Sequence, residues 1–175
     1  PTATPTPTAF QTGFNTGYFG GGNETSGGVA TMDKINFSTD TTASVPGANL
    51  SAARYRPAAT GNADAGYFGG GIEPPSTVAV ASMDKTTYSS DTTAAIPGAN
   101  LSVARYNLAA TGNASFGYFG GGIPGPVVTM DKVTYSSDTT AAVPGANLSL
   151  ARERLAATGN ADAGYFGGGH PGPIS

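Results

Sequence analysis

The sequence predicts an all-β protein built from repeats, and three observations lead to that prediction. The hexapeptide GYFGGG occurs four times, beginning at residues 17, 66, 117 and 164. Two further motifs recur in step with it: MDK at 32–34, 83–85 and 130–132, and PGANLS at 46–51, 97–102 and 144–149. Thr, Ser, Ala, Tyr and Phe fill most of the remaining positions, a composition typical of β-strands. Recurrence at a nearly fixed period indicates a repeat architecture.

Composition excludes several classes of function. Charged residues make up 11% of the 175-residue chain, against about 25% in a typical soluble domain. The net charge of −3 and the absence of a basic patch argue against nucleic-acid binding. The absence of cysteine excludes disulfides and thiolate metal sites, and no apolar run is long enough to predict a membrane span.

The motifs divide the chain into a short leading segment, a repeat region and a tail. Residues 1–8 (PTATPTPT) predict a Pro/Thr linker or stalk, residues 9–169 contain the repeats, and residues 170–175 form a tail. We refer to the repeats as units 1 to 4; they span residues 9–49, 50–100, 101–147 and, for a half-unit, 148–169.

Each full unit is expected to contain four short antiparallel strands, here called a to d. In unit 3 these are Tyr106–Thr111, Phe116–Gly120, Val127–Tyr135 and Thr140–Val143. One such sheet cannot bury both of its faces alone, so the core is expected to lie between units. Successive side chains of a strand alternate between its faces, so the Tyr and Phe of GYFGGG are expected to pack towards opposite neighbours.

The pattern AR-Y…AATGN…GYFGGG…TMDK-TYSSDTT…PGANL resembles the kelch repeat over about residues 9–169. This resemblance implies a β-propeller built from four-stranded blades. The chain departs from the family where kelch units usually carry Trp at the start of strand d, because Thr41, Thr92 and Thr139 stand near that position. In the style of their repeats, these Trp-free units resemble the repeat arrays of predicted bacterial and phage surface proteins.

The number of units does not suffice for a ring. The chain holds about three and a half units, whereas closed propellers typically need four to eight blades. Further repeats in a longer natural chain, sharing between several chains, or an open array would each account for this. The half-unit presents a free strand edge that can pair with another chain, so we expect self-assembly into an oligomer or filament, or membership of a larger surface assembly.

All variation in unit length falls between the glycine triplet and MDK, at residues 23–31, 72–82 and 123–129. These b–c loops are expected to emerge on one face together with the d–a connections, and insertions in repeat proteins often mark a binding face. Drift in an unimportant loop is the alternative. The candidate recognition residues are Asn23, Glu24, Thr25, Glu73, Ser76, Thr77, Pro124 and Pro126.

No catalytic set is apparent, so we predict no enzyme activity, no cofactor and no metal. The single histidine, His170, has no cysteine or unique acid–base partner. The acidic residues recur in every full unit, which favours a structural role over a unique active site. Calcium binding by Asp, Ser and carbonyl oxygens is an alternative that no recognised loop pattern supports. These recurring acids are Asp33, Asp84 and Asp131 in MDK, and Asp40, Asp91 and Asp138 before Thr-Thr.

Arginine precedes strand a in three units, and the fork of its guanidinium suits a partly buried carboxylate. Arg54, Arg105 and Arg152 are therefore predicted to pair with a neighbouring Asp, most simply that of MDK. Lys34, Lys85 and Lys132 are predicted to be more exposed. The tyrosines of the hexapeptide are predicted to be structural; they are Tyr18, Tyr67, Tyr118 and Tyr165.

Six Asn-x-Ser/Thr sequons are candidate N-glycosylation sites, although most come from repeated turns in which Asn is common. The Thr-rich segments make O-glycosylation an equal alternative. The sequons are at Asn23, Asn36, Asn49, Asn100, Asn113 and Asn147.

Taken together, these features predict a non-enzymatic, extracellular structural or adhesive repeat protein. It would belong to a surface fibre, filament or virion appendage, at the cell surface or on a virion. The alternative is a carbohydrate- or protein-binding propeller module that uses the variable b–c loops, although those loops contain no aromatic residue.

Overall fold

The computed structural model describes residues 15–24, 27–125 and 127–171. The regular structure there consists of β-strands and three short 3-10 helices, so the prediction of an all-β protein is confirmed. The predicted 1–8 linker, Thr25, Pro126 and residues 172–175 lie outside the described residues.

Unit 1 forms a three-stranded antiparallel sheet in the order β1-β4-β5. These are its strands b, c and d: β1 (Thr16–Gly20), β4 (Met32–Asn36) and β5 (Thr41–Ser44). Its b–c loop carries a two-residue hairpin of β2 (Asn23–Glu24) and β3 (Gly27–Gly28).

Units 2 and 3 each form a four-stranded antiparallel sheet in which chain order equals spatial order, as predicted. Unit 2 contains β6 (Ala58–Gly61), β7 (Ala65–Gly69), β8 (Met83–Thr87) and β9 (Thr92–Ala95). Unit 3 contains β10 (Ala109–Gly112), β11 (Phe116–Gly120), β12 (Met130–Thr134) and β13 (Thr139–Ala142).

Unit 4 contributes strands a and b as the hairpin of β15 (Ala156–Gly159) and β16 (Gly164–Gly167). A second small pair joins β14 (Arg152–Glu153) to β17 (His170–Pro171). His170 and Pro171, assigned to the tail from the sequence, are therefore held in a strand pair.

The predicted bounds of strand b in unit 3 are confirmed. Strands a and c are shorter than predicted, and strand d lies one residue earlier than predicted, at Thr139–Ala142. Tyr106 makes only an isolated bridge with Ile123, because Asn107 follows with a positive φ of 56° and interrupts the strand. Strand c begins at Met130 instead of Val127, because Val128 binds Leu148 of the d–a connection through their main chains. Each d–a connection starts with a 3-10 helix: Pro46–Ala48, Pro97–Ala99 and Pro144–Ala146.

The apolar core lies between successive units, as the sequence predicts. Phe68 of unit 2 is buried in a cluster with Met32 and Leu50 at the boundary with unit 1. Phe119 of unit 3 takes the same position one unit later, with Met83 among its neighbours. Strand a of each of units 2 to 4 also lies beside strand a of the adjoining unit. Among the described residues no sheet contains strands of both unit 1 and unit 4, so the sheets do not close into a ring.

Candidate functional site

Side-chain hydrogen bonds, ion pairs and stacked rings join successive units of the described chain. Between units 2 and 3, Tyr67 donates its hydroxyl to Asp138 at 2.6 Å, and the Lys85 ammonium binds the same carboxylate at 2.8 Å. The Tyr67 ring stacks on Tyr135 with centroids 4.6 Å apart. Burial raises the pKa of Asp138, but the bonds from Lys85 and Tyr67 outweigh burial and hold it below its usual value.

The contact between units 1 and 2 repeats this arrangement. Tyr18 and Lys34 bind Asp91, and the Tyr18 ring stacks on Tyr88 at 4.6 Å. The hydroxyl of Tyr18 and the ammonium of Lys34 hold the pKa of Asp91 below its usual range. The same group of four side chains therefore locks one unit to the next at both boundaries between full units.

The acceptor carboxylate of this lock is placed by the c–d turn. Asp91 and Asp138 close their turns with positive φ values of 51° and 50°, a conformation that Asp tolerates better than most residues. Tyr67 and Lys85 face the turn together because they are opposite each other in the register of β7 and β8. The sequence assigned the hexapeptide tyrosines a structural role but did not predict their carboxylate partner, which lies 71 residues away from Tyr67.

The predicted Arg–Asp pairs form in both units whose strand c follows the arginine. Arg54 binds Asp84 at 3.2 Å and Arg105 binds Asp131 at 2.7 Å, and all four side chains are buried. Lys34 and Lys85 are more exposed than these arginines, as predicted, at 28% and 27%. Arg152 donates to the carbonyls of Leu150 and Gly168 and pairs with no carboxylate of the described residues.

The glycine triplet forms a main-chain hydrogen bond with the following unit. In the first three triplets, the third glycine donates its N–H to the carbonyl of the next unit's arginine: Gly22 to Arg54, Gly71 to Arg105 and Gly122 to Arg152, all at 2.9 Å. The arginine of the motif therefore joins two units with its main chain while its side chain ties down the strands of its own unit.

The candidate recognition loops lie beside the d–a connections, as expected, but their residues belong to separate units. Val29 bridges to Arg54 and Ile72 bridges to Tyr55, which places both kinds of segment on one face. Glu73 is engaged within the fold, since it lies 3.2 Å from Arg54 and accepts the hydroxyl of Ser82. The other described candidates are largely exposed: Asn23, Glu24, Ser76, Thr77 and Pro124.

This face also carries an aromatic group that the loop-based prediction missed. The guanidinium of Arg56 lies 5.5 Å from the Tyr55 ring and 5.6 Å from the Tyr106 ring of the next unit. These residues follow the recurring arginine and lie outside the variable loops, so the length comparison did not reveal them. The RY dipeptide at 54–55 and 105–106 was the available signal.

The sequon asparagines differ in how far their side chains are engaged. Asn49, Asn100 and Asn147 each accept the N–H of the MDK methionine at 3.1 Å through their side-chain oxygen. Asn36 accepts from Ser38. The amide nitrogen of Asn113, to which a glycan would be joined, already donates to Ala161 at 3.3 Å. Asn113 is therefore the sequon least suited to modification.

The described residues contain no group of three His, Asp or Glu side chains arranged to hold a metal ion. None of their helices has the length and apolar character needed to cross a membrane. Comparison of the chain with protein-family models and with curated proteins finds no match.

Proposed function

We propose that this chain is a non-enzymatic structural repeat module whose units, arranged as kelch-like propeller blades, assemble into an extracellular fibre, filament or virion appendage. The observation that carries the proposal is the lock formed by a Tyr and a Lys of one unit with an Asp of the next. Its partners always come from different units, so stability depends on stacking units in series. Polar groups that bond between units, as these do, suit a protein that must hold many units together in one continuous array.

The terminal surfaces support this proposal. Phe19, which corresponds to the buried Phe68 and Phe119, is 65% exposed in unit 1, and Tyr165 is 65% exposed in unit 4. Exposed large aromatic side chains at both ends of an array provide surface that a further unit would bury. In an assembly of several chains, contacts between chains would bury these aromatic side chains, just as the boundaries between units bury their equivalents within one chain.

Electron microscopy of the purified chain, combined with its mass in solution, tests the proposal. We expect filaments or an ordered multimer whose subunit spacing continues the spacing of the units. A monodisperse monomer over a wide concentration range would contradict the proposed assembly.

A second function, ligand binding on the loop face, is favoured by the Tyr55–Arg56–Tyr106 group alone. Tyrosine rings beside a guanidinium suit planar or carbohydrate ligands. Screening the chain against a glycan array tests this, with Arg56→Ala expected to abolish any signal. Arg154→Ala is the matched control, because Arg154 has the equivalent main-chain conformation in unit 4, where Glu153 replaces the tyrosine.

A further inference from the structure

The β15–β16 hairpin of unit 4 has an open strand edge within the described residues. Strands β7 and β11 pair on both edges, whereas β16 pairs within the described chain only with β15. Beside its other edge lies a groove of about 360 Å³, lined by Tyr118, Met130, Leu148 and Phe166. At the boundary between units 2 and 3, the side chain of Val133 on β12 and that of Tyr135, which follows β12, pack in the core with Tyr67 and Met83.

Three polar groups at the boundary between units 3 and 4 match those that hold a hairpin at the internal boundaries. Tyr118 and Lys132 stand where Tyr67 and Lys85 bind the turn residue Asp138. Arg152 stands where Arg105 binds Asp131. Among the described residues, none of these three groups in units 3 and 4 meets a carboxylate. Tyr118 lines the groove together with Asn160 and Asp162. Lys132, opposite Tyr118 in the strand register, and Arg152 add two cationic groups at this boundary.

Unit 1 presents the complementary hairpin. Asp33 is exposed on β4, whereas the equivalent Asp84 and Asp131 are completely buried. Asp40 is exposed in the β4–β5 turn with the same positive φ, 53°, as its equivalents. Phe37, which takes the place of the stacked Tyr135, is 53% exposed.

We propose that the β4–β5 hairpin of a second copy of this chain occupies the groove and pairs with β16. In that complex Arg152 binds Asp33 of the second copy, while Tyr118 and Lys132 bind its Asp40. This inference rests on the proposed function and identifies the contact through which assembly occurs.

β16 of one chain can pair with β4 of a second copy by replacing the β1 strand of that copy. β1 now occupies the edge of β4 that β16 would take, and both strands carry the sequence GYFG. β16 can therefore reproduce the register of β1, with Tyr165 opposite Lys34 and Gly167 opposite Met32. The exchange removes Tyr18 from its bond to Asp91, and Tyr165 takes the place of Tyr18 opposite Lys34. It therefore keeps the ladder of hydrogen bonds and adds the ion pairs. Because the two surfaces are different patches, the contact is head-to-tail, which produces an open filament when the rotation does not close.

Sedimentation velocity with charge-reversed variants tests the contact. Arg152→Glu and Asp33→Arg should each weaken self-association by at least roughly tenfold, the effect of losing one charge-assisted hydrogen bond. An equimolar mixture should regain assembly, since every contact between unlike chains then joins opposite charges. Arg154→Glu is the control for the change in charge, because Arg154 is exposed beside the contact, and it should assemble normally.

The possible results distinguish the hypothesis of this particular contact from the broader hypothesis that the chain self-assembles. Multimers that survive in both single variants would overturn the contact and leave the proposed function standing. A mixture that stays as dissociated as the single variants would also overturn it. A wild-type chain that remains monomeric would overturn both proposals. Circular dichroism of each variant establishes that a loss of assembly is not a loss of folding.

Discussion

Gly70 of unit 2 lies so close to Arg105 of unit 3 that a β-carbon on Gly70 would stand 2.4 Å from the Arg105 carbonyl oxygen. Gly70 also has a φ of +70°, which side-chain-bearing residues adopt at a cost. Gly168, the equivalent residue of unit 4, has a φ of +69° with nothing within 4 Å of its position. Comparing substitutions at these two glycines therefore distinguishes the cost of the left-handed backbone conformation, which both share, from the cost of the close contact, which only Gly70 makes.

Replacing each glycine by alanine should therefore give different losses of stability. Gly168→Ala should lower the free energy of unfolding by about 1 kcal/mol, the cost of the left-handed conformation. Gly70→Ala should cost roughly 2 kcal/mol more, since the Arg105 carbonyl must move and weaken its bond to Gly71. Urea unfolding measures both values. Equal losses would show that the close contact is unimportant.

Breaking the buried pair of unit 3 should be among the most damaging single changes. Arg105→Met leaves the carboxylate of Asp131 buried without its cation, and we expect a loss of about 3–5 kcal/mol in thermal or urea unfolding. Arg152→Met, at the equivalent but half-buried position in unit 4, should cost roughly 1 kcal/mol or less because Arg152 pairs with no carboxylate of the described residues.

The double variant Arg105→Met/Asp131→Leu tests the cause of that loss. It removes the stranded charge along with its partner, so it should recover much of the stability. A double variant no more stable than Arg105→Met would mean that the carbonyl bonds of Arg105, to Thr129 and Phe119, dominate instead of the charge.

Acid should loosen the locks between units. The pKa values of Asp91 and Asp138 are lowered in the folded chain from 3.8. Their stabilisation is therefore complete above about pH 3.8 and is lost as the pH falls through the lower folded values. The free energy of unfolding, measured against pH, should decline in this acid range, and less steeply in Asp138→Asn.

The equivalent turn residue of unit 1 provides the control for this experiment. Within one chain Asp40 faces no Tyr–Lys pair of the described residues, so Asp40→Asn, measured at a dilution where the chain is monomeric, should retain the wild-type acid dependence. An unchanged slope in Asp138→Asn would contradict the role assigned to the lock.

Alkali should destabilise the same boundaries through the tyrosines. Burial raises the pKa of Tyr88 from 10.0 to about 12, and it also raises that of Tyr135. The unfolded chain releases these protons first, so stability present below pH 10 should be lost as the pH rises towards 12. Tyrosinate absorbance should therefore rise together with the loss of β-sheet circular dichroism.

Tyr88→Phe isolates one contribution to the alkaline effect. The Tyr88 side chain makes no hydrogen bond in the described structure, so its stability at neutral pH should remain close to wild type. Its midpoint of alkaline unfolding should move to higher pH. A midpoint equal to that of the wild type would assign the alkaline transition to other groups.

Local patterns determined the repeating strands of this protein. Alternation and recurring turns predicted the a-b-c-d order. The bounds of Phe116–Gly120 matched the structure because Gly121 and Gly122 end the strand locally, through their positive φ angles. The Arg–Asp pairs were also predictable, since a recurring arginine and a recurring carboxylate in a poorly charged chain have few other partners. The bounds of strands a and c were set instead by contacts with the d–a connections.

The amino-acid sequence by itself determined the unit, its strand order and the placement of its core between units, because these follow from periodicity and from the need to cover both faces of a sheet. Only the tertiary structure decided which carboxylate receives Tyr67 and Lys85. Asp138 lies in the next unit, and its position depends on how two sheets pack and on the left-handed turn that directs its side chain. This pairing depends on how far one unit is displaced and rotated relative to the next. No motif spacing within a single repeat encodes that displacement.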